Sequence, residues 1–153
     1  MTVRHALVLA AAALLVFALA LRLHHRTASS GAVLPRVPGV LNPDVTQATI
    51  GSTIWDGWTA TVRPPVEYTN DLKVKQMREY GETGSPSDYQ EDHLISLELG
   101  GDPTDTRNLW PEPYPRAAGV DRIENELNAK VCGGKLSLRE GQEQESELKH
   151  TQG

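Results

Sequence analysis

Cysteine is nearly absent from this sequence, with Cys132 the single one among 153 residues. One cysteine excludes an intramolecular disulfide framework and a cysteine-rich zinc cluster, and no disulfide-linked partner is expected. We predict that Cys132 is buried as a small apolar side chain, since no neighbour in the sequence would activate its thiol. One hydrophobic core must therefore stabilise the chain, which is feasible for a domain of roughly 120 residues.

Positive charge is also scarce once the first thirty residues are set aside. Three of the fifteen Lys and Arg residues lie there, and the remaining twelve face twenty Asp and Glu, which leaves a net charge of −8. This balance excludes a histone-like protein that binds nucleic acid by neutralising phosphates over a broad surface. It leaves open an enzyme that meets phosphate through a bound metal ion.

The one long apolar run covers residues 6–21. It is long for the core of a signal peptide and short for a membrane-spanning helix. Ala18-Leu19-Ala20 provides a small-x-small cleavage pattern, whereas Arg22 and Arg26 directly after the run favour an uncleaved anchor. We interpret residues 1–26 as a signal peptide or a membrane anchor. The protein is therefore expected to be exported, and the membrane becomes a partner if the segment stays uncleaved.

The rest of the chain is predicted to hold a linker and one domain. Residues 27–42 are rich in Ser, Gly and Pro without a period, which is typical of a flexible linker. Residues 43–153 then form the domain. Between residues 46 and 66, β-branched residues and tryptophans predict an N-terminal hairpin, with Trp55 and Trp58 as core anchors.

Two helices are expected to flank the centre of the domain. The first begins at Thr69 or Asn70 and ends at Gly81, which can adopt left-handed backbone. The second opens with Ser137 and Glu140, which have the spacing of a capping box. The glutamates that follow are expected only to keep this helix soluble: Glu143, Glu145 and Glu147.

The informative stretch spans residues 89–134. An apolar strand begins at Asp92-His93 and turns at Gly100-Gly101, and a second strand resumes at Asn108. After Pro115, apolar residues recur at steps of three and four, which predicts a helix. Those residues are Val120, Ile123, Leu127 and Val131. The unit is thus two short strands followed by a helix.

The residue types at these places suit metal-assisted hydrolysis. Asp92 offers hard oxygen ligands for Mg²⁺ or Mn²⁺, and His93 can accept a proton from water near neutral pH. Because neighbours on a strand point to opposite faces, the backbone must be irregular at this pair. Asn108 offers an amide that can hold the loop after His93. Three residues share one helix face, and any of them could complete a metal site with Asp92: Asp121, Asn125 and Asn128.

These motifs resemble those of a known family. Asp92-His93-Leu94-Ile95, Gly100-Gly101 and Asn108-Leu109 are similar, in order and spacing, to the core motif of the HNH endonucleases, the ββα-metal or His-Me finger fold. The string 91–113 is similar to a subgroup of small exported HNH-like proteins. The resemblance covers residues 41–145. It implies a small α+β domain with a ββα-metal core, an N-terminal hairpin and flanking helices.

The resemblance also implies roles for individual residues. His93 would be the general base that activates water, Asp92 a ligand of one divalent metal, and Asn108 the residue that orients the loop after His93. The implied function is a metal-dependent endonuclease that hydrolyses phosphodiester bonds of nucleic acid with low sequence specificity, with DNA favoured over RNA. The alternative is a catalytically inactive HNH-like binding module, exported or membrane-anchored.

The sequence departs from the family pattern at two places close to the predicted site. The family usually has a histidine or asparagine ligand on the helix after the strands, but no histidine occurs between His93 and His150. Asp121 or Asn125 would take that position, and we favour Asp121 because it lies nearer the start of the helix. Ser96 stands where the family commonly has proline, which is expected to loosen the loop after the base.

Overall fold

The computed structural model of the protein describes residues 33–151. The predicted signal peptide or anchor, residues 1–26, therefore lies outside the described residues. Ala32–Gly153 forms one compact unit, and within the described range its class is α+β, as predicted, with four helices and one antiparallel sheet of two strands. No helix in residues 33–151 is long and apolar enough to cross a bilayer.

The elements follow one another in an order that places a strand pair before a long helix. The helices are α1 (Trp58–Val62), α2 (Val66–Tyr80), α3 (Tyr114–Cys132) and α4 (Leu138–Thr151), and the strands are β1 (Tyr89–His93) and β2 (Leu109–Pro113). The two strands pair in antiparallel fashion, with His93 opposite Leu109. Helix α3 begins directly after β2, so strand, strand and helix are consecutive.

The predicted N-terminal hairpin over residues 46–66 is wrong, because turns and then α1 occupy this stretch. The hydroxyl of Thr49 accepts a hydrogen bond from the Thr46 amide at 2.8 Å, and the Thr49 carbonyl accepts from the Thr53 amide at 2.9 Å. Threonine thus closes local turns here instead of pairing across strands. Trp58 packs partly buried against the core, whereas Trp55 is 51% exposed and is not a core anchor.

Helix α2 confirms one predicted boundary and corrects the other. It ends at Gly81, whose φ of 73° is left-handed, as predicted. It begins at Val66, directly after Pro65, and not at Thr69 or Asn70. The amide of Thr69 donates to the Pro65 carbonyl at 3.3 Å, so Thr69 already lies within the first turn. Proline has a fixed φ close to the helical value, and the chain enters the helix there.

Residues 33–42, the described part of the predicted linker, lie against the domain. Leu41 forms an isolated antiparallel bridge with Gly101. The amide of Asn42 donates to the Gly100 carbonyl at 2.9 Å. The backbone of the glycine turn therefore forms hydrogen bonds that hold the segment. The Ser, Gly and Pro content of the segment does not predict these contacts.

The core lies between α3, α4 and the loop after β1. Its buried members are Val45, Ile54, Ile95, Leu99, Leu127, Val131 and Leu138. The burial of Leu127 and Val131 confirms the predicted apolar stripe of α3. The prediction that Cys132 is buried is wrong, since its side chain is exposed. Successive helical residues point about 100° apart, so the residue after buried Val131 turns away from the core.

The capping box of α4 is present as predicted. The hydroxyl of Ser137 accepts from the Glu140 amide at 3.2 Å, and the Glu140 carboxylate accepts from the Ser137 amide at 2.7 Å. We expect Ser137→Ala to lower the free energy of unfolding by about 1 kcal/mol, with Ser137→Thr close to the wild type. Urea denaturation measures both. An unchanged midpoint for Ser137→Ala would show that the box does not stabilise α4.

Candidate functional site

A polar cavity of about 320 Å³ lies at the end of β1. It is lined by four of the five predicted site residues, namely Asp92, His93, Asp121 and Asn125. The expectation of irregular backbone at Asp92-His93 is wrong, because both residues lie in β1 and pair in regular register with β2. Both nevertheless line the same cavity. The geometry therefore allows the metal-and-base arrangement that the sequence predicted, while the roles of these residues stay a prediction.

The imidazole of His93 is oriented by the backbone and is only 4% exposed. Its Nε2 lies 3.2 Å from the carbonyl oxygen of Pro103, a group that can only accept, so we assign the hydrogen to Nε2. Burial lowers the pKa of His93, although the charge of Asp92 acts in the opposite direction. The ring is therefore neutral at pH 7, with Nδ1 as an unprotonated acceptor.

Asn108 does not line the cavity but ties together the loops around it. Its Oδ1 accepts from the amides of Ile95 at 3.0 Å and Val40 at 3.2 Å. Its Nδ2 donates to the carbonyls of Ile95 at 3.0 Å and Asp102 at 2.9 Å. These four bonds hold the loop that follows His93, which is the arrangement that its predicted positioning role requires.

The predicted strand over residues 94–99 is corrected, because the strand stops at His93 and the chain bends into a short 3₁₀ turn, Leu97–Leu99. The Asn108 side chain, not a neighbouring strand, satisfies the amide and the carbonyl of Ile95. Gly100, with a φ of 79°, ends the turn in left-handed backbone. The predicted glycine turn is present, but it follows the 3₁₀ turn of a loop and not a strand.

The bonds of Asn108 lead to a prediction on stability. Asn108→Ala leaves the buried amide and carbonyl of Ile95 without their partner, and an unsatisfied buried group costs about 1–3 kcal/mol. We expect the free energy of unfolding to fall by about 2–4 kcal/mol, as measured by thermal and urea denaturation. Asn70→Ala, at an exposed position of α2, is the matched control and should change it little. Equal stability of the two variants would contradict the assignment.

The cavity is strongly acidic. Its lining contains a single cationic side chain, Arg63, against five carboxylates, which are Glu91, Asp92, Glu98, Asp121 and Glu124. Both carboxylate oxygens of Glu91 and one of Glu98 are buried without a hydrogen-bond partner. Burial raises the pKa of Glu91 to about 8, and burial also raises that of Glu98. The sequence reasoning missed Glu91, Glu98 and Glu124, although Glu91 directly precedes the motif.

These oxygen donors fit a hard divalent cation. Mg²⁺ and Mn²⁺ are bound by carboxylate and amide oxygens, and the unpartnered oxygens of Glu91 and Glu98 would be satisfied by such an ion. The Nδ2 of Asn125 donates to the Asp121 carbonyl at 2.7 Å, which leaves the amide oxygen of Asn125 for a ligand role. Over residues 33–151, no three His, Cys, Asp or Glu side chains already form a metal-binding group.

Asp92 has a partner that the sequence reasoning did not identify. The Nζ of Lys149, a side chain only 1% exposed, donates to Asp92 Oδ2 at 2.7 Å and also to the His93 carbonyl. It lies 2.5 Å from Glu124 Oε1 and 3.9 Å from Glu145 Oε1. Although burial acts to raise it, this ammonium holds the pKa of Asp92 below its usual value. Asp92 is therefore a charged carboxylate fixed from the interior side.

Helix α4 has a buried polar face that corrects two expectations. Glu145 does not serve only for solubility, because it is 1% exposed and its Oε1 accepts from the Ser96 amide at 3.0 Å. Ser96 therefore fastens the loop, since proline would lack this N–H donor. The available signal was the spacing of the buried residues of α4, which follow one another as Leu138, Gly141, Gln142, Glu145 and Lys149. Four of these five are not large apolar residues, so the sequence pattern did not indicate that this face of the helix is buried.

Comparisons with protein-family models, with curated proteins and with solved structures gave no match. The residues that line the cavity indicate which chemistry it can perform. Its lining combines an unprotonated nitrogen of His93, oxygen donors that attract a cation, and the guanidinium of Arg63, which can pair with an anion. Together these groups can activate a water molecule beside a bound phosphate.

Proposed function

We propose that the protein is an HNH-type endonuclease that requires a divalent metal and hydrolyses phosphodiester bonds with low sequence specificity, with DNA favoured over RNA. The observation that carries the proposal is the neutral imidazole of His93, which has Nε2 against the Pro103 carbonyl and lies in a cavity with Asp92, Asp121 and Asn125. The succession β1, β2, α3 around this cavity supports assignment to the ββα-metal fold.

In the proposed mechanism, the Nδ1 of His93 removes a proton from the water that attacks phosphorus. As the new bond forms, the bond from phosphorus to the leaving-group oxygen breaks, and that oxygen takes a proton from solvent water. The bonds of Asn108 keep the loop after the base in place while the proton is transferred. Arg63 pairs with a non-bridging oxygen of the substrate phosphate, because a guanidinium matches the geometry of phosphate. The buried position of His93 favours the neutral form that this role needs.

Mg²⁺ or Mn²⁺ would be held by Asp92 together with Asp121 or Asn125, all of which line the cavity. When bound, the ion supplies Lewis acidity that polarises the phosphodiester and stabilises the negative charge that develops on it. Of the two helix residues we favour Asp121, because a carboxylate contributes a negative charge that an amide lacks.

The acidic charge of the domain gives a prediction on DNA binding. With a net charge of −8 beyond residue 30, few cations are available to displace counterions from DNA. We expect a dissociation constant weaker than about 100 µM for duplex DNA at physiological salt in EDTA, measured by fluorescence anisotropy. Micromolar or tighter binding under these conditions would contradict the proposal that a metal ion mediates contact with phosphate.

The proposal is tested with labelled DNA and RNA oligonucleotides incubated with Mg²⁺, Mn²⁺ or EDTA. We expect cleavage with metal, loss of cleavage on chelation, and recovery when excess Mn²⁺ is added. The cleavage rates of Asp121→Ala and Asn125→Ala are compared across a Mn²⁺ titration. The variant that has lost a metal ligand should need a higher Mn²⁺ concentration to reach half of its maximal rate. Asp71→Ala, at an exposed position of α2, is the control and should behave like the wild type.

A second candidate function is a catalytically inactive HNH-like module, exported or membrane-anchored, that binds a partner. The contact between Lys149 and Asp92 favours it, because one carboxylate oxygen of Asp92 is already engaged. This candidate predicts that the folded protein cleaves neither DNA nor RNA with any divalent metal. Its cavity residues could then be replaced without loss of any hydrolytic activity.

A further inference from the structure

We propose that the Nζ of Lys149 occupies a cation site inside the domain, where the chain's own ammonium takes the place of an inorganic ion and positions Asp92 and the end of β1. Lys149 is thus a positioning residue, and it brings α4 into the construction of the cavity wall. This role of Lys149 in the assembly of the site does not depend on whether the cavity cleaves nucleic acid.

The surroundings of Nζ are those of a bound cation. Four oxygen atoms face it, from the Asp92, Glu124 and Glu145 carboxylates and from the His93 carbonyl. Three carboxylates and one carbonyl are the donors that proteins use for hard cations. Within residues 33–151, Lys149 is the cationic side chain that forms ion pairs with these carboxylates, and it is 1% exposed. A buried ammonium would be unfavourable without such partners, and buried carboxylates would be unfavourable without a cation.

The three carboxylates reach this position from three different elements. Asp92 comes from the end of β1, Glu124 from the middle of α3, and Glu145 from α4 one turn before the lysine. Glu145 is also fixed by the Ser96 amide, and its second oxygen is buried without a partner. The ammonium therefore connects β1, α3 and α4 at one point, as a structural metal ion does in other folds.

The contacts with Asp92 and the His93 carbonyl explain why the cavity wall can form without an added ion. Nζ donates to the carboxylate of one residue and to the backbone of the next. Both contacts act at the point where β1 ends and the chain leaves the sheet. Removing the ammonium would leave three carboxylates close together and free to bind a divalent cation in its place.

The test uses Lys149→Met, which keeps an unbranched side chain but lacks the terminal ammonium and its charge. Thermal unfolding of the full chain is followed in EDTA and in CaCl₂, since Ca²⁺ accepts irregular shells of carboxylate and carbonyl oxygens. We expect Lys149→Met to melt well below the wild type in EDTA. We expect Ca²⁺, at about a hundred times its dissociation constant, to raise the melting temperature about 5–10 °C more than in the wild type.

The matched control is Lys130→Met, the same change at an exposed position of α3, which should respond to Ca²⁺ like the wild type. If Lys149→Met does not fold in either buffer, Lys149→Met/Glu145→Gln repeats the test, because it removes one charge of each sign. A Ca²⁺ response above that of the wild type in the variant that folds supports the proposal. A response no larger than that of the wild type overturns it. Wild-type cleavage assays with Mn²⁺ judge the proposed function separately.

Discussion

Replacing His93 with alanine is expected to lower the rate of DNA cleavage by about 10²–10⁴-fold, the range that removal of a general base typically gives. A backbone contact fixes the imidazole, because its Nε2 lies 3.2 Å from the Pro103 carbonyl oxygen. Its unprotonated Nδ1 is then the proton acceptor of a residue that lines the cavity. Alanine removes the proton acceptor but leaves Asp92, Asp121 and Asn125 in place. Metal binding should therefore change little while the rate falls.

The comparison for this variant is His150→Ala. His150 lies at the exposed end of α4, where its ring faces the carbonyls of Ser146, Pro35 and Val37 away from the cavity. Initial rates are measured with a labelled oligonucleotide and Mn²⁺, and circular dichroism establishes that each variant is folded. We expect His150→Ala to cleave at nearly the wild-type rate. Equal rates for His93→Ala and wild type would remove His93 from the mechanism.

Gly101→Ala is expected to lower the free energy of unfolding by more than about 4 kcal/mol, which for a domain of this size means poor folding. A Cβ at this position would lie 1.8 Å from the Ile95 carbonyl oxygen and 2.7 Å from the Nδ2 of Asn108. These atoms belong to the bonds that hold the loop after His93, so the loop cannot move away without losing them. Close approach of backbone to backbone, not an unusual φ, requires glycine here.

The matched control is Gly119→Ala on α3, where a Cβ would meet nothing within 4 Å. Because alanine favours the helix over glycine, this variant should be more stable than the wild type by about 0.5–1 kcal/mol. Urea denaturation of both variants measures the contrast. A Gly101→Ala protein as stable as Gly119→Ala would show that the loop after β1 is not packed as described.

Sequence reasoning succeeded where the determining contacts are local. The end of α2 at Gly81, the apolar stripe of α3 and the capping box at Ser137 each depend on residues within one or two helical turns. The hairpin over residues 46–66 failed because threonine hydroxyls there form local turns, although β-branched side chains are typical of strands. The residue types of that stretch are compatible with a strand as well as with turns.

In the candidate site, too, local features could be predicted from the sequence and long-range contacts could not. The pair Asp92-His93 could be recognised because its members are adjacent in the sequence. The bond between Lys149 and Asp92 spans 57 residues, and that between Glu145 and Ser96 spans 49. A lysine and a glutamate one turn apart on a polar helix usually face solvent. Only the tertiary packing of α4 reveals that this pair is buried.

The central claim, that the cavity at the end of β1 hydrolyses nucleic acid through His93, is tested most directly by nicking of supercoiled plasmid DNA. The purified protein is incubated with plasmid in Mg²⁺ or Mn²⁺, beside samples with EDTA and with His93→Ala. The account predicts open circular DNA with metal, and none with EDTA or with the variant. Intact plasmid and intact RNA with every divalent metal, from a folded wild-type protein, would contradict it and favour a binding module.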